Sequence, residues 1–200
     1  MSDETTFEAA GPGPRRQADP RAVMVWDPLV RAFHWTLVVL FAANALFDDP
    51  ESKLHERIGY VVVGLVVARI LWGFVGTRHA RFSDFRPSIR AALGQLADMA
   101  TGRRRVHLGH SPLGALMIYN LIGTLLLIGF SGWLMTTDRF WGVKWPEELH
   151  EFLVHWAELS VFAHIAAVLI ESRRLRINLP RSMVTGYKTI PDKPRDSQDA

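Results

Sequence analysis

The sequence predicts an all-α integral membrane protein, a four-helix bundle with both termini in the cytoplasm. Four apolar segments are each close to the roughly 20 residues that a helix needs to cross a bilayer. Basic residues are concentrated in alternate connections between them, and histidines recur within or beside the apolar segments. The predicted membrane spans cover residues of about 30–47, 57–76, 112–135 and 152–171.

The 200-residue chain is predicted to form one membrane domain with a tail at each end. Residues 1–22 are rich in glycine, proline and acidic side chains, which is typical of a disordered tail. The membrane domain covers residues 23–177, and a cytoplasmic tail covers residues 178–200. Ile89, Leu93 and Leu96 recur at helical spacing between the second and third spans. They predict a short amphipathic helix, at about 88–100, lying on the cytoplasmic membrane surface.

The distribution of lysine and arginine predicts the orientation in the membrane. Eighteen of these residues precede span one, separate spans two and three, or follow span four, whereas the other two connections contain three. Cytoplasmic loops carry such an excess. Both termini are therefore expected in the cytoplasm of a bacterial cell, with the chain in the inner membrane and surrounded by lipid.

The composition excludes several other classes of protein. The chain has no cysteine, which excludes covalent c-type haem, thiolate-bound iron–sulfur clusters and disulfides. The net charge of +3 is divided among short segments beside the apolar spans, so no nucleic-acid partner is expected. Any redox cofactor must be held by histidine, methionine or oxygen ligands.

Histidines in the fourth span share one face at two depths. His150 and His164 are 14 residues apart, which on a helix leaves them about 40° from eclipsed and about 21 Å apart along the axis. His155 lies about 180° from His164 and points elsewhere. His55, at the outer start of span two, is at the depth of His150, and His34, one turn into span one, is at the depth of His164.

Two histidine pairs at two depths are what two stacked haems with histidine on both axial sides require. The pairs His55–His150 and His34–His164 are therefore the predicted axial ligands of two non-covalent haem b groups. His110, at the cytoplasmic mouth of span three, is the alternative to His34 for the inner iron.

Three arginines are candidate partners for haem propionates. Arg69 lies 14 residues after His55, on the same face of span two and at the depth of His164. An arginine within the hydrocarbon region needs an anionic partner, and guanidinium binds carboxylate through two parallel hydrogen bonds. Arg57 is placed to bind a propionate of the outer haem, and Arg31 a propionate of the inner one. The alternative for both is that the side chain extends along the helix end to keep its charge at the membrane surface.

Several motifs together resemble the bacterial cytochrome b561 family, and in particular the branch grouped with the b-type cytochrome subunit of nickel–iron hydrogenases. They are WDPLVRAFHW, LHERIGYVVVGLVVARILWGFVG followed by HARFSDF, GHSPLGALM, and the segment from LHEFLVHWAELSVFAH to NLPRSMVTGYK. The resemblance covers about residues 24–188. It implies a dihaem b-type cytochrome with His34, His55, His150 and His164 as ligands, and His110 as a quinone or proton contact.

The resemblance further implies electron transfer between the quinone pool and a periplasmic cytochrome c, dehydrogenase or hydrogenase-type enzyme. A homodimer is compatible with it. One alternative is an autonomous oxidoreductase linking a small reductant such as superoxide to quinone, as in some relatives. A more distant alternative is a metal-ion or proton transporter using histidines without haem, although the sequence shows neither the repeats nor the broken helices typical of transporters.

Overall fold

The computed structural model describes residues 21–47, 49, 52–77, 80–103 and 109–190. The predicted disordered tail, except Arg21 and Ala22, lies outside these ranges, as do His79 and His107. The elements, in chain order, are β1 (Arg21–Met24), α1 (Pro28–Leu46), α2 (Lys53–Val75), a 3₁₀ turn (Phe82–Asp84), α3 (Ile89–Ala100), α4 (Pro112–Met135), α5 (Lys144–Leu175), α6 (Leu179–Thr185) and β2 (Tyr187–Ile190).

The predicted four-helix membrane fold is confirmed. Helices α1, α2, α4 and α5 are each long and apolar enough to cross a membrane. Helix α5, with 32 residues, begins at Lys144 rather than near residue 152. Its first two turns, KWPEELHE, are polar, so a search for apolar spans finds only the part of α5 that follows them.

Serine side chains cap the first turns of α2 and α4. The hydroxyl of Ser52 accepts a hydrogen bond from the backbone amide of His55 (2.9 Å) at the start of α2. Ser111 caps α4 in the same way through Gly114, and Pro112 occupies the first turn, where its missing amide proton costs nothing. The motif GHSPLG is therefore, in part, a helix-start signal.

The bundle packs most closely around α2 and α4. Buried Val62 and Val66 of α2 meet Leu125 of α4, with apolar side chains of α1 around them. Gly129 of α4 leaves room for Val63, whose side chain would collide with a Cβ at that position. Helix α5 packs extensively along α4 but only slightly, if at all, on α1 and α2 over their described lengths.

Helix α3 is present where the sequence predicts an amphipathic helix. Ala92 and Gln95 are buried, and the Gln95 side chain accepts a hydrogen bond from the Leu113 amide of α4 (3.0 Å). Ile89 and Leu93 remain exposed. This apolar face is available for the membrane surface, and its position there stays a prediction.

Ordered structure extends beyond the predicted domain at both ends. Strands β1 and β2 pair antiparallel, with Met24 opposite Tyr187. Gly186, at φ 88°, ends α6, and its carbonyl accepts hydrogen bonds from the amides of Val25 (2.9 Å) and Trp26 (3.2 Å). The segment after 177 was predicted as a tail because short strands lack an apolar span, and their pairing is a contact distant in sequence.

Asp27 joins the start of α1 to the end of α2. Its carboxylate accepts hydrogen bonds from the Val30 amide (2.8 Å), the Thr77 hydroxyl (2.6 Å) and the Trp72 indole (3.4 Å). Burial opposes its ionisation, but these hydrogen bonds, led by that of Thr77, hold the pKa of Asp27 below its ordinary value. The ionised carboxylate therefore stabilises the folded protein.

Replacing Asp27 with alanine is expected to lower the free energy of unfolding by about 1–2 kcal/mol at neutral pH, as for a lost helix cap. Because the folded pKa is depressed, the stabilisation is present above the unfolded value of about 3.9 and is lost as the pH falls through the folded value. Unfolding in detergent at pH 7 and below pH 4 measures this difference. The exposed carboxylate of Asp138 gives the matched control, Asp138→Ala, which should change stability little.

Candidate haem sites

The first histidine pair joins α2 to α5. The rings of His55 and His150 have centroids 6.2 Å apart and planes inclined by 63°. Metal–imidazole bonds are about 2 Å long, so two rings ligating one metal from opposite sides have centroids about 6 Å apart. The spacing of this pair is therefore suited to a metal ion held between the two imidazoles.

Helix α4 orients the imidazole of His150. Its Nδ1 lies 3.1 Å from the Ile128 carbonyl and 3.1 Å from the Ser131 hydroxyl, which itself donates to that carbonyl (3.0 Å). Ser131 is fully buried. A Cβ on Gly132 would lie 3.3 Å from Cε1 of the ring, so glycine leaves this side of the imidazole clear. With Nδ1 hydrogen-bonded, Nε2 is the nitrogen available for ligation.

Replacing Ser131 with alanine is expected to raise the reduction potential of the outer haem. The lost hydroxyl leaves Nδ1 with one acceptor, so the imidazole becomes a weaker electron donor and stabilises ferric iron less. Ser131→Thr, which keeps the hydroxyl, should restore the potential. Redox titration followed in the visible spectrum measures the shift, with Ser160→Ala as the control for deletion of a buried hydroxyl elsewhere. Unchanged potentials in Ser131→Ala would contradict this role.

The second pair joins α1 to α5. His34 and His164 are both partly buried in these two helices. Within the described residues, Nδ1 of His34 is buried and has no hydrogen-bond partner, and the same is true of Nδ1 of His55. A buried polar atom without a partner carries a desolvation cost. Both rings therefore suit a site that is completed by a bound group.

The cation of Arg69 is buried near the inner end of α2. Its side chain is 4% exposed, donates from Nη2 to the Ala80 carbonyl (3.1 Å) and lies over the Phe82 ring (5.3 Å). Nη1 is buried and has no partner among the described residues. Nor does any carboxylate of the described ranges lie within 4 Å of Arg69. An anionic group would satisfy both the charge and the free N–H groups.

The other two arginines have different surroundings. Arg31 donates from Nη1 to the Val184 carbonyl (3.1 Å), which ties α1 to α6, while its Nε is buried and has no partner among the described residues. Arg57 is exposed on the first turns of α2. Arg31 therefore retains capacity to bind a further acceptor, and Arg57 is free to reach the membrane surface.

His110 lies in an aromatic cluster beside the start of α4. Its ring is 4.7 Å from that of Trp26 and 4.2 Å from that of Phe85. A cavity of about 170 Å³ adjoins it, lined also by Asp84 and Ala115. His110 therefore forms part of a pocket beside the start of α4.

Sequence analysis did not identify Ser131 and Gly132 as part of the outer site. The signal was weak: one small polar residue beside a glycine within an apolar helix that contributes no histidine. The sequence also gave no sign of the polar chain linking α4 and α5. In that chain the Trp156 indole donates to Asn120 (3.0 Å), which donates to Ser160 (2.9 Å).

Comparison with known proteins identifies the family. The sequence model of the prokaryotic cytochrome b561 family matches residues 25–186, which covers all four membrane helices and both histidine pairs. The chain belongs to this family. The resemblance predicted from the motifs is therefore confirmed, and the cytochrome is a membrane protein of the b type, a class that binds b-type haem.

Curated relatives of this cytochrome share low identity over nearly their whole length. Each is named a probable Ni/Fe-hydrogenase B-type cytochrome subunit. The relative from Bradyrhizobium diazoefficiens is 23% identical over 95% of each chain. That from Azotobacter vinelandii is 23% identical over 96% of this chain and 98% of its own, and that from Rhodobacter capsulatus is 24% identical over 86% and 83%. No solved structure matches the chain significantly.

Proposed function

We propose that this cytochrome binds two b haems and carries electrons across the inner membrane between a periplasmic redox partner and the quinone pool. The observation that carries the proposal is the 6.2 Å separation of the His55 and His150 rings. We propose His34 and His164, both partly buried, as a second pair deeper in the same bundle. His150 and His164 are 14 residues apart on α5, or about 21 Å along its axis.

Each histidine pair would hold one haem through both of its imidazoles, which would leave no position for a substrate at the metal. When bound, haem b supplies a one-electron couple between ferric and ferrous iron. The protein contributes ligand orientation through Ser131 and the Ile128 carbonyl, and a buried cation, Arg69, for a propionate. Arg31 and Arg57 are proposed as further propionate partners. These groups set the potential and exclude water rather than perform bond chemistry.

The proposed outer partner is an enzyme of the hydrogenase type, because the curated relatives bear that name. The connection between α4 and α5 offers a docking surface on that side. Trp141 is 79% exposed, and the rings of Phe140 and Trp145 pack edge to face, with centroids 5.5 Å apart. Aromatic side chains are enriched in interfaces of this kind, and also at membrane surfaces. A soluble cytochrome c is the second partner class that fits.

The proposed quinone contact is His110. Its ring lies in an aromatic cluster at the end of the bundle predicted to face the cytoplasm, and a cavity adjoins it. A neutral imidazole can give or take a proton when a quinone is reduced or a quinol oxidised. Both termini are proposed to face the cytoplasm, because eighteen lysines and arginines lie on that side against three on the other.

The test is a dithionite-reduced minus oxidised spectrum of the detergent-purified protein, with a pyridine haemochrome assay for stoichiometry. The expected result is b-type absorption with two haems per chain. One haem per chain would leave one histidine pair without its proposed role, and a colourless protein after expression with added haem would overturn the proposal. Reduction of the bound haem by quinol, compared between the wild type and His110→Ala, tests the quinone contact.

A further inference from the structure

An ionisable pair lies on the outside of the membrane bundle. His155 is 79% exposed, and its Nδ1 is 3.2 Å from the Glu158 carboxylate, which is 34% exposed. Both belong to α5, and His155 points away from the face that carries His150 and His164, with Glu158 beside it at the edge of the exposed side. The pair therefore takes no part in the haem sites.

Contacts between α4 and α5 place this pair at the middle of the membrane. His150 meets Ile128 and Ser131 of α4, and Ser160 meets Asn120. Since the two helices run antiparallel, His155 lies level with about residue 125 of α4. That level is about 15 Å from the outer end of α4 at Met135.

Lipid is an unfavourable environment for these two side chains. Ionisable residues in membrane helices are costly and almost always face protein or a water-filled cavity. Helices α1, α2 and α4, which are described throughout, expose no lysine, arginine, histidine or acid at this depth. The outward position of His155 and Glu158 thus indicates that protein covers this face of α5.

The residues around His155 form a stripe with the spacing of a helix–helix seam. Exposed side chains recur at alternate intervals of three and four residues, as in the a and d positions of a coiled coil. Two neighbours on the opposite side, Leu153 and Ala157, are buried in the bundle. We call this stripe the α5 seam; its members are Phe152, His155, Leu159, Phe162, Ala166 and Leu169.

We propose that the α5 seam is a two-fold interface with a second copy of this chain. All copies insert in the same orientation, so two α5 helices meet in parallel and the same residues face each other in a self-complementary contact. His155 Nδ1 and one Glu158 oxygen are paired within each helix, so Nε2 of His155 and the second carboxylate oxygen of each copy supply the polar contact across the interface. A polar residue at one seam position also sets the register of such a pair. This interface does not depend on haem.

Cysteine cross-linking tests the interface directly, because the chain has no native cysteine. Leu159→Cys and Phe162→Cys place a thiol on the seam. Val39→Cys of α1 and Val67→Cys of α2 place one on other exposed faces within the membrane. In lipid vesicles at low protein density, oxidant should give a covalent dimer from the seam variants and leave the control variants monomeric.

A second measurement tests the role of the polar pair. The double variant His155→Leu, Glu158→Leu in the Leu159→Cys background should show a loss of cross-linked dimer, since the polar contact favours association in lipid. Equal cross-linking from seam and control positions, or a monomer by mass measurement in nanodiscs, would overturn the proposal. So would cross-linking of the seam only to a different membrane protein. Haem content distinguishes failure of this proposal from failure of the proposed function. A dimer without haem would overturn only the haem sites. A monomer with two haems would overturn only the interface.

Discussion

Replacement of His150 with alanine is expected to reduce the haem content from two per chain to one. This residue supplies one side of the outer pair, and its partner ring in His55 is 6.2 Å away, centroid to centroid. Without one imidazole, the outer haem loses an axial bond and the propionate contacts alone do not hold it. His55→Ala should give the same result, and the double variant should lose no more, because the two residues act as one site.

The pyridine haemochrome assay measures the number of haems per chain. Thermal unfolding shows whether the variant protein is still folded. His155→Ala is the matched control, since that histidine lies on the same helix but faces outward with its ring 3.2 Å from Glu158. It should keep two haems. Two haems in a folded His150→Ala protein would contradict the assignment of the outer pair.

The inner pair gives the second large effect. His34→Ala and His164→Ala should each remove the other haem and leave the outer one with an unchanged potential. His110→Ala should keep both, because His110 packs in the aromatic cluster with Trp26 and Phe85 and is not one of the four proposed ligands. Haem content and redox titration together distinguish these cases.

Loss of a haem in His110→Ala, with both retained in His34→Ala, would exchange the roles of the two histidines. Loss of both haems from every variant would instead point to a general failure to assemble, which expression with added haem and gel filtration would detect.

The membrane spans were predictable because the thickness of a bilayer fixes the length of an apolar helix. The predicted span 112–135 coincides with α4, whereas α2 and α5 begin before their predicted spans, at Lys53 and Lys144. The histidine pairing was also accessible, since residues 14 apart on one helix share a face. The depths of the two residues in the membrane then predicted that His55 lies opposite His150. In the structure their ring centroids are 6.2 Å apart.

Other features depend on contacts that no local pattern encodes. Asp27 and Thr77 are 50 residues apart in the chain, and β1 pairs with a strand more than 160 residues later. The hydrogen bond to His150 from α4 required knowledge of which helix lies beside α5 and at what register. Sequence periodicity gives the face of each helix but not the neighbour that the face meets.

The small sheet formed by β1 and β2 has a mechanical consequence for the inner pair. Strand β1 precedes α1, and β2 follows α5 and α6. The pairing of the two strands therefore connects the ends of the helices that carry His34 and His164, beyond the apolar spans. Their spacing is held by backbone hydrogen bonds at the end of the bundle, while little direct packing between α1 and α5 is needed in the lipid. This connection would hold α1 and α5 at a fixed distance from each other if the proposed inner haem binds between them.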